Sequence, residues 1–256
     1  MKIGVIGLGL IGGSIFKSLK NMDFEVVGVS QSQQGEDIYK DYSILSSCEI
    51  IFVCSPMNKT LYILDEIENY LSEDTIVTDV CSLKEFVTNK KYKFNFVPSH
   101  PMAGTEKRGF ENSFPELFKG AKWAIIINPT NDTDFKGVDK LTAIIEKMGA
   151  KVVFTTAKEH DEAVALISHM PLIISQALFL TASDNPLAME LASSGFRDMT
   201  RLAMSNTEMA NDMFLMNSKN IENSIIKLYK SVGDLTSKNY LSAINQIKLK
   251  REKMFK

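Results

Sequence analysis

The chain has 256 residues, 45% of them apolar, with 29 lysines and arginines against 31 aspartates and glutamates and a formal charge of -2. That length supplies one large domain or two small ones with a substantial core, and it excludes a disordered chain. The near-neutral balance excludes a global pull toward nucleic acid or an anionic membrane, so a small molecule is the expected partner.

Met1-Lys2 leads into an apolar run with no signal-peptide cleavage pattern, which reads as a first strand. Runs rich in Val, Ile and Phe then recur at Lys2–Ile6, Glu25–Val29, Glu49–Cys54, Thr75–Asp79, Phe94–Pro98, Trp123–Ile127 and Lys151–Thr155. Several are apolar on both alternations, as strands covered on two faces should be. Helix patterns lie between them at Gly13–Lys20, Thr60–Leu71 and Val138–Met148, the last closed by Gly149-Ala150. This alternation predicts an α/β domain over residues 1–156, built on a doubly wound parallel sheet. Cys48, Cys54 and Cys81 are odd in number and lack metal-ligand spacing, so a reduced cytoplasmic protein without disulfide or metal is expected.

From Ala157 the β-branched runs disappear and helix formers dominate, predicting an all-α domain over residues 157–256. Helix boundaries are expected at Asp184-Asn185-Pro186, Gly195 and Gly233-Asp234. The apolar stretch Ala163–Leu180 is interrupted by Ser168, His169, Pro171, Ser175 and Gln176, which makes it a poor bilayer span. The basic tail Lys248–Lys256 reads as the solvated end of a helix, with no nucleic-acid role. The helical half carries more Met, Leu and Ile than it can bury alone, predicting a homodimer through that half. Burial against the sheet domain is the competing reading.

Gly7-Leu8-Gly9-Leu10-Ile11-Gly12 follows the first strand and opens a helix. The first glycine permits a tight turn, the second lets backbone approach a pyrophosphate, and the third allows close packing of helix on strand. The helix N-terminus adds free N–H groups and a favourable dipole. A dinucleotide site of Rossmann type is therefore expected. The second strand ends in Ser30-Gln31-Ser32 where an acid for the ribose is usual, so the residues leave NAD and NADP both open. Cys54-Ser55-Pro56 and Asp79 to Lys84 close later strands and should line the nicotinamide side, with Ser82 a hydroxyl able to donate and accept there.

His100, one of only three histidines, is expected where the strand Phe94–Pro98 ends, ahead of a polar loop carrying Thr105 and Glu106. Arg197 and Arg201 are four apart and would share a helix face toward one anion, although solvated arginines are the ordinary alternative. His169 lies amid apolar residues, where a core histidine is ordinary. Pro171 beside it frees a backbone carbonyl, an irregularity compatible with a site. His160, followed by Asp161, reads as structural or interfacial.

Together, Gly7-x-Gly9-x-x-Gly12, Asp79-x-x-Ser82-x-Lys84, His100-Pro101-Met102-Ala103-Gly104-Thr105-Glu106, Ser168-His169-x-Pro171 and Gly195-Phe196-Arg197-Asp198-x-Thr200-Arg201 resemble the prephenate/arogenate dehydrogenase family. The resemblance spans nearly the whole chain. It implies oxidative decarboxylation of prephenate to 4-hydroxyphenylpyruvate in tyrosine biosynthesis, or of arogenate in the close alternative, with NAD slightly favoured over NADP. It further implies His100 as the base at the C4 hydroxyl and Ser82 as its orienter. Arg201 would pair with a substrate carboxylate, and Arg197, often lysine in the family, would add charge. His169 would meet the substrate side chain, and Thr105 with Glu106 would shape the entrance. No mutase or regulatory segment is evident, so a minimal monofunctional form is expected. A dinucleotide-sensing dimer without catalysis is disfavoured by His100, Ser82 and Arg201 standing together, because sensing needs no acid/base group.

Overall fold

The computed structural model describes residues 1–105, 107–127, 135–237 and 240–255. Strands β1 (Lys2–Ile6), β2 (Glu25–Val29), β3 (Ile38–Tyr39), β4 (Ile50–Val53), β5 (Ile76–Asp79) and β6 (Asn95–Phe96) form a parallel sheet in the order β3-β2-β1-β4-β5-β6. The chain builds outward from β1 to β3, then returns past β1 to lay down β4, so the topological switch falls between β1 and β4. In open α/β sheets ligands bind at the carboxyl ends of strands beside such a switch.

Both faces of this sheet are covered. Ile3 and Val5 of β1 pack with Ile15 and Leu19 of α1 (Leu10–Lys20), whereas Ile6 packs with Leu64 and Ile67 of α2 (Met57–Ile67) on the opposite side. Each fully buried aliphatic side chain contributes about 1.5–3 kcal/mol, far more than strand propensity alone.

The sheet ends earlier than the sequence pattern predicts. Strands β7 (Ser99–Met102), β8 (Lys122–Ile126) and β9 (Lys151–Thr155) form a separate sheet, with β7 antiparallel to β8 and β8 parallel to β9. The helix before β9 is α4 (Phe135–Lys147). Pro98 has no amide to extend the ladder of β6, and the chain starts a new sheet one residue later. His100 therefore lies within a strand, opposite Ala124, and not at the end of one.

In the helical half, Thr156 caps α5 (Ala157–Val164) by exchanging bonds with Glu159. This helix passes through a π turn at Ala165–His169 into α6 (Met170–Ser183). The resulting 27-residue run is long and apolar enough by composition to cross a bilayer, contrary to the expectation drawn from its polar interruptions. Yet His160, Asp161, His169 and Ser175 on it are buried within the protein. Helices α7 (Pro186–Glu190) and α8 (Ser194–Thr200), a 3₁₀ turn at Arg201–Met204, α9 (Thr207–Ser237) and α10 (Tyr240–Met254) complete the chain. Helix α9 runs straight through Gly233-Asp234, where a boundary was expected, and is interrupted instead at Asn217, whose φ of -125° and ψ of 20° are not helical. Met57, Cys81 and Leu83 share a small core with Val164, Leu172 and Met213, which packs the two halves together.

Candidate active site

The glycine turn lies at the carboxyl end of β1, beside the switch. Gly7 has φ of +84°, and a Cβ there would lie 2.5 Å from the Cys54 carbonyl oxygen. A Cβ on Gly12 would overlap the Gly7 carbonyl, so both positions are closed to any side chain by backbone. Gly9 differs, since a Cβ there would meet nothing within 4 Å. No side chain caps α1 (Leu10–Lys20), whose N-cap is Gly9, so the first N–H groups after Leu8, at Leu10 and Ile11, are free of side-chain partners. Such a cradle fits a pyrophosphate.

At the end of β2, Ser30 is buried and its hydroxyl accepts from the Gln33 amide at 3.1 Å, while exposed Gln31 donates to the Lys40 carbonyl at 3.0 Å. Asp37 is ion-paired with Lys20 of α1 and does not replace the acid missing from this strand end. At the end of β4, Cys54 is half-buried, Ser55 bonds Thr60 at 2.9 Å, and Pro56 is exposed. Burial raises the Cys54 thiol well above its usual range, so it stays protonated.

The turn after β5 is held from below. Asp79 is fully buried and ion-paired with Lys84, which is also fully buried and donates to the Ser99 carbonyl at 2.7 Å. The same carboxylate accepts the Cys81 amide at 3.0 Å. Asp79 thus fixes the turn's shape through Oδ2, while its buried Oδ1 has no hydrogen-bond partner among the described residues. Ser82, at the crest of the turn, points its hydroxyl to the Met57 sulfur at 3.3 Å. Ser99 joins the two sheets: its hydroxyl accepts from the Trp123 indole at 2.9 Å and donates to the Asp79 carbonyl at 3.0 Å.

One residue on, His100 meets a partner that the sequence reading left outside the site. Its Nδ1 lies 2.9 Å from Nε2 of His160, whose Nδ1 lies 2.8 Å from the Asp161 carboxylate. Asp161 also accepts the backbone amides of Lys84 and Glu85, at 2.8 and 2.9 Å, where α3 (Glu85–Thr88) begins. An ionised carboxylate only accepts, so His160 carries its proton on Nδ1. With the second ring nitrogen of His160 unprotonated, its Nε2 accepts and His100 donates from Nδ1. That leaves Nε2 of His100 as a lone pair with no partner among the described residues. Burial, then the neighbouring His160, Lys84 and His169, push His100 well below its usual range and keep it neutral.

His169 closes the helical side. It is 2% exposed and held at about 4 by burial, with Asp161 opposing that shift. The π turn that ends at His169 is the irregularity anticipated beside Pro171. Next to it is a cavity of about 240 Å³, lined among others by Leu172, Gln176, Met213 and Phe214. Arg197 and Arg201 do not share a continuous helix: α8 ends at Thr200, and Arg201 opens the 3₁₀ turn. Both are exposed, and neither forms a salt bridge among the described residues. Thr105 is exposed and accepts the Lys107 amide at 3.2 Å, whereas Glu106 lies outside the described residues.

The structure therefore brings His100, His160, Asp161 and His169 together, joined by Asn217 of α9, which bonds both Asp161 and His169. Ser82 belongs to the same turn as Lys84 but makes no hydrogen bond to His100. The overlooked pair had a local signature. The Thr156-x-x-Glu159 capping box starts α5 just ahead of residues 160 and 161, where a buried His-Asp pair faces the sheet domain.

Two family models match the chain: "Prephenate dehydrogenase, nucleotide-binding domain" over residues 25–154 and "Prephenate dehydrogenase, dimerization domain" over residues 156–243. The prephenate dehydrogenase of Lactococcus lactis subsp. cremoris is 31% identical over 239 residues, covering 84% of this chain and 65% of the relative. That of Bacillus subtilis is 31% identical with 84% and 64% covered, so the chain spans just under two thirds of the length of these relatives. Among solved structures, Synechocystis arogenate dehydrogenase superposes with a TM-score of 0.81 at 32% identity, covering 99% of this chain and 96% of that one. Prephenate dehydrogenase from A. aeolicus, in complex with hydroxyphenyl propionate and NAD+, gives a TM-score of 0.87 at 27% identity with 99% and 98% covered.

Proposed function

The chain belongs to the prephenate dehydrogenase family, and from that premise we propose that it oxidises and decarboxylates prephenate to 4-hydroxyphenylpyruvate, with NAD or NADP as the second substrate. The observation that carries this reading is the His100–His160–Asp161 chain, which leaves Nε2 of His100 without a partner among the described residues.

The cofactor fits the cradle of Gly7, Leu8, Gly9, Leu10, Ile11 and Gly12, because the space above Gly9 is open and the amides of α1 are uncapped. Ser30 and Gln31 would meet the adenosine ribose, and Cys54, Ser55, Pro56 and Ser82 the nicotinamide side. When bound, the nicotinamide supplies the hydride acceptor. Nε2 of His100 takes the proton of the C4 hydroxyl, and the imidazolium formed keeps its Nδ1–H on His160. The Asp161 carboxylate lies behind that pair and favours the positive charge. Departure of the ring carboxylate as carbon dioxide then leaves an aromatic ring. Ser82 orients the hydroxyl, Arg201 pairs with a substrate carboxylate, Arg197 adds positive charge, and Thr105 borders the entrance.

The helical half pairs with a second copy, a reading supported by the matched dimerization domain and by Ile167, Leu180, Leu187, Leu191, Met204 and Tyr229, all more than 60% exposed. Three free thiols, Cys48, Cys54 and Cys81, support a cytoplasmic setting. Arogenate remains the second substrate reading, supported by the likeness to the Synechocystis arogenate dehydrogenase. The test is a rate assay of prephenate and arogenate, each with NAD and NADP. Reduction of cofactor by prephenate is expected, and failure of both acids with both cofactors overturns the proposal.

A further inference from the structure

The interruption of α9 serves a purpose visible in its hydrogen bonds. Asn217 is 5% exposed, and its departure from helical φ and ψ is accompanied by a side chain engaged on both ends. Its Nδ2 lies 3.0 Å from the Asp161 carbonyl oxygen and 3.1 Å from Nδ1 of His169. Its Oδ1 accepts from Asn220 at 2.8 Å. A backbone carbonyl can only accept, so the amide atom facing Asp161 must be the NH₂ group. The same NH₂ faces His169, so Nδ1 of His169 must also be an acceptor. The ring's remaining proton then resides on Nε2, which has no partner among the described residues. His169 lines the cavity beside α9.

We propose that Asn217 is a positioning residue that locks His169 as an Nε2–H donor, making the site select substrates that present an acceptor oxygen. This rests on the prephenate dehydrogenase reading and sharpens it. Where Nε2–H faces the carbon at which the two acids differ, a keto oxygen accepts its hydrogen bond, whereas an ammonium group has only donors and cannot. The lock therefore favours the 2-keto acid over its 2-amino counterpart. Because a neutral imidazole is needed for this, the low value of about 4 for His169 is consistent with the arrangement. The tautomer is also opposite to that of His100 and His160, both of which hold their proton on Nδ1. All three acid/base rings are thereby set by two neighbouring groups of one residue: the carboxylate of Asp161 orders His160 and His100, and its backbone carbonyl orders Asn217.

The chain has only three histidines, so their ring nitrogens can be resolved by long-range ¹H–¹⁵N correlation NMR on the intact protein. The substitutions His100→Ala and His169→Gln each delete one ring and assign the signals. The expected wild-type result is a protonated Nε2 and unprotonated Nδ1 for His169. Asn217→Asp is nearly isosteric but replaces the donor by an acceptor, and should move the His169 proton to Nδ1. In kinetics, the same variant should raise KM for prephenate about 10-fold with kcat changed less than about 3-fold, as loss of one ground-state hydrogen bond requires. The prephenate-to-arogenate ratio of kcat/KM should fall in parallel. In a His169→Gln background, where the glutamine amide supplies a donor of its own, Asn217→Asp should have little further effect on KM. A wild-type His169 protonated on Nδ1, or an Asn217→Asp protein with the His169 tautomer unchanged, overturns the proposal. The NMR arm needs no turnover, so failure of the family activity and failure of the lock are separately visible.

Discussion

His160 lies with Nε2 2.9 Å from Nδ1 of His100, the two rings nearly perpendicular at 72°. The contact spans sixty positions of sequence and joins a strand of the sheet domain to the first turn of the helical one. It turns a lone imidazole into one with a defined tautomer and a charge-bearing support.

Removing that support tests whether it acts in the chemistry. Replacing His160 by Phe keeps an aromatic ring but removes both hydrogen bonds, and turnover should fall about 10²-fold or more with cofactor affinity retained. Steady-state rates and a cofactor titration measure the two effects. Turnover within about threefold of wild type would exclude His160 from the mechanism.

The glycine turn offers a paired comparison. Gly12→Ala places a Cβ against the Gly7 carbonyl and should reduce both stability and cofactor binding. Gly9→Ala places its Cβ in open space, so the melting temperature should hold while cofactor affinity drops about 10-fold or more. If Gly9→Ala binds cofactor normally, the pyrophosphate does not lie on that turn.

Lys84 and Asp79 are both fully buried and ion-paired. Lys84→Met strands the Asp79 carboxylate without its cation, and should cost about 3–5 kcal/mol in urea denaturation. Adding Asp79→Leu should recover much of that loss. A single variant as stable as wild type would mean that the pair contributes nothing to holding the β5 turn.

Acid should weaken both folding and catalysis. The His169 value is depressed to about 4, so between its unfolded value near 6.5 and about 4 the unfolded chain binds a proton that the native chain does not. That stability is complete above about pH 6.5 and declines as pH falls, by about 3 kcal/mol in all, and depressed His100 adds a loss of the same sign. A base at His100 is active only when neutral, so on the proposed mechanism the acid limb of kcat/KM should lie below pH 6.5, the ordinary range for histidine. A limb centred at or above that range would argue against the neutral base.

Much of this was legible from local pattern. The glycine turn and the β–α alternation are signals carried within a few residues, because backbone clearance and two-faced burial act on each strand directly. His100 and His169 stand out for the same reason, each sitting in a short distinctive run. The second sheet was not legible, since the runs at Trp123 and Lys151 have the composition of parallel strands whichever sheet they join. Only pairing with Ser99–Met102 decides it. His160 was missed because its partner arrives from a distant segment, and an isolated His-Asp dipeptide has many surface uses. Asn217 was invisible altogether: one asparagine in a helix-forming stretch is ordinary, and only its contacts with Asp161 and His169 explain the break.

Asp161 belongs to the helical half by sequence, yet its carboxylate grips two amides of the sheet half. The seam between the domains and the last member of the relay are one side chain. Recombining this chain with a relative at residue 156 therefore cannot treat the halves as modules: the incoming helix must bring its own histidine and aspartate at the same height, facing the amides of Lys84 and Glu85. A graft that folds but offsets that helix by one turn would keep both domains and still leave His100 without His160 behind it.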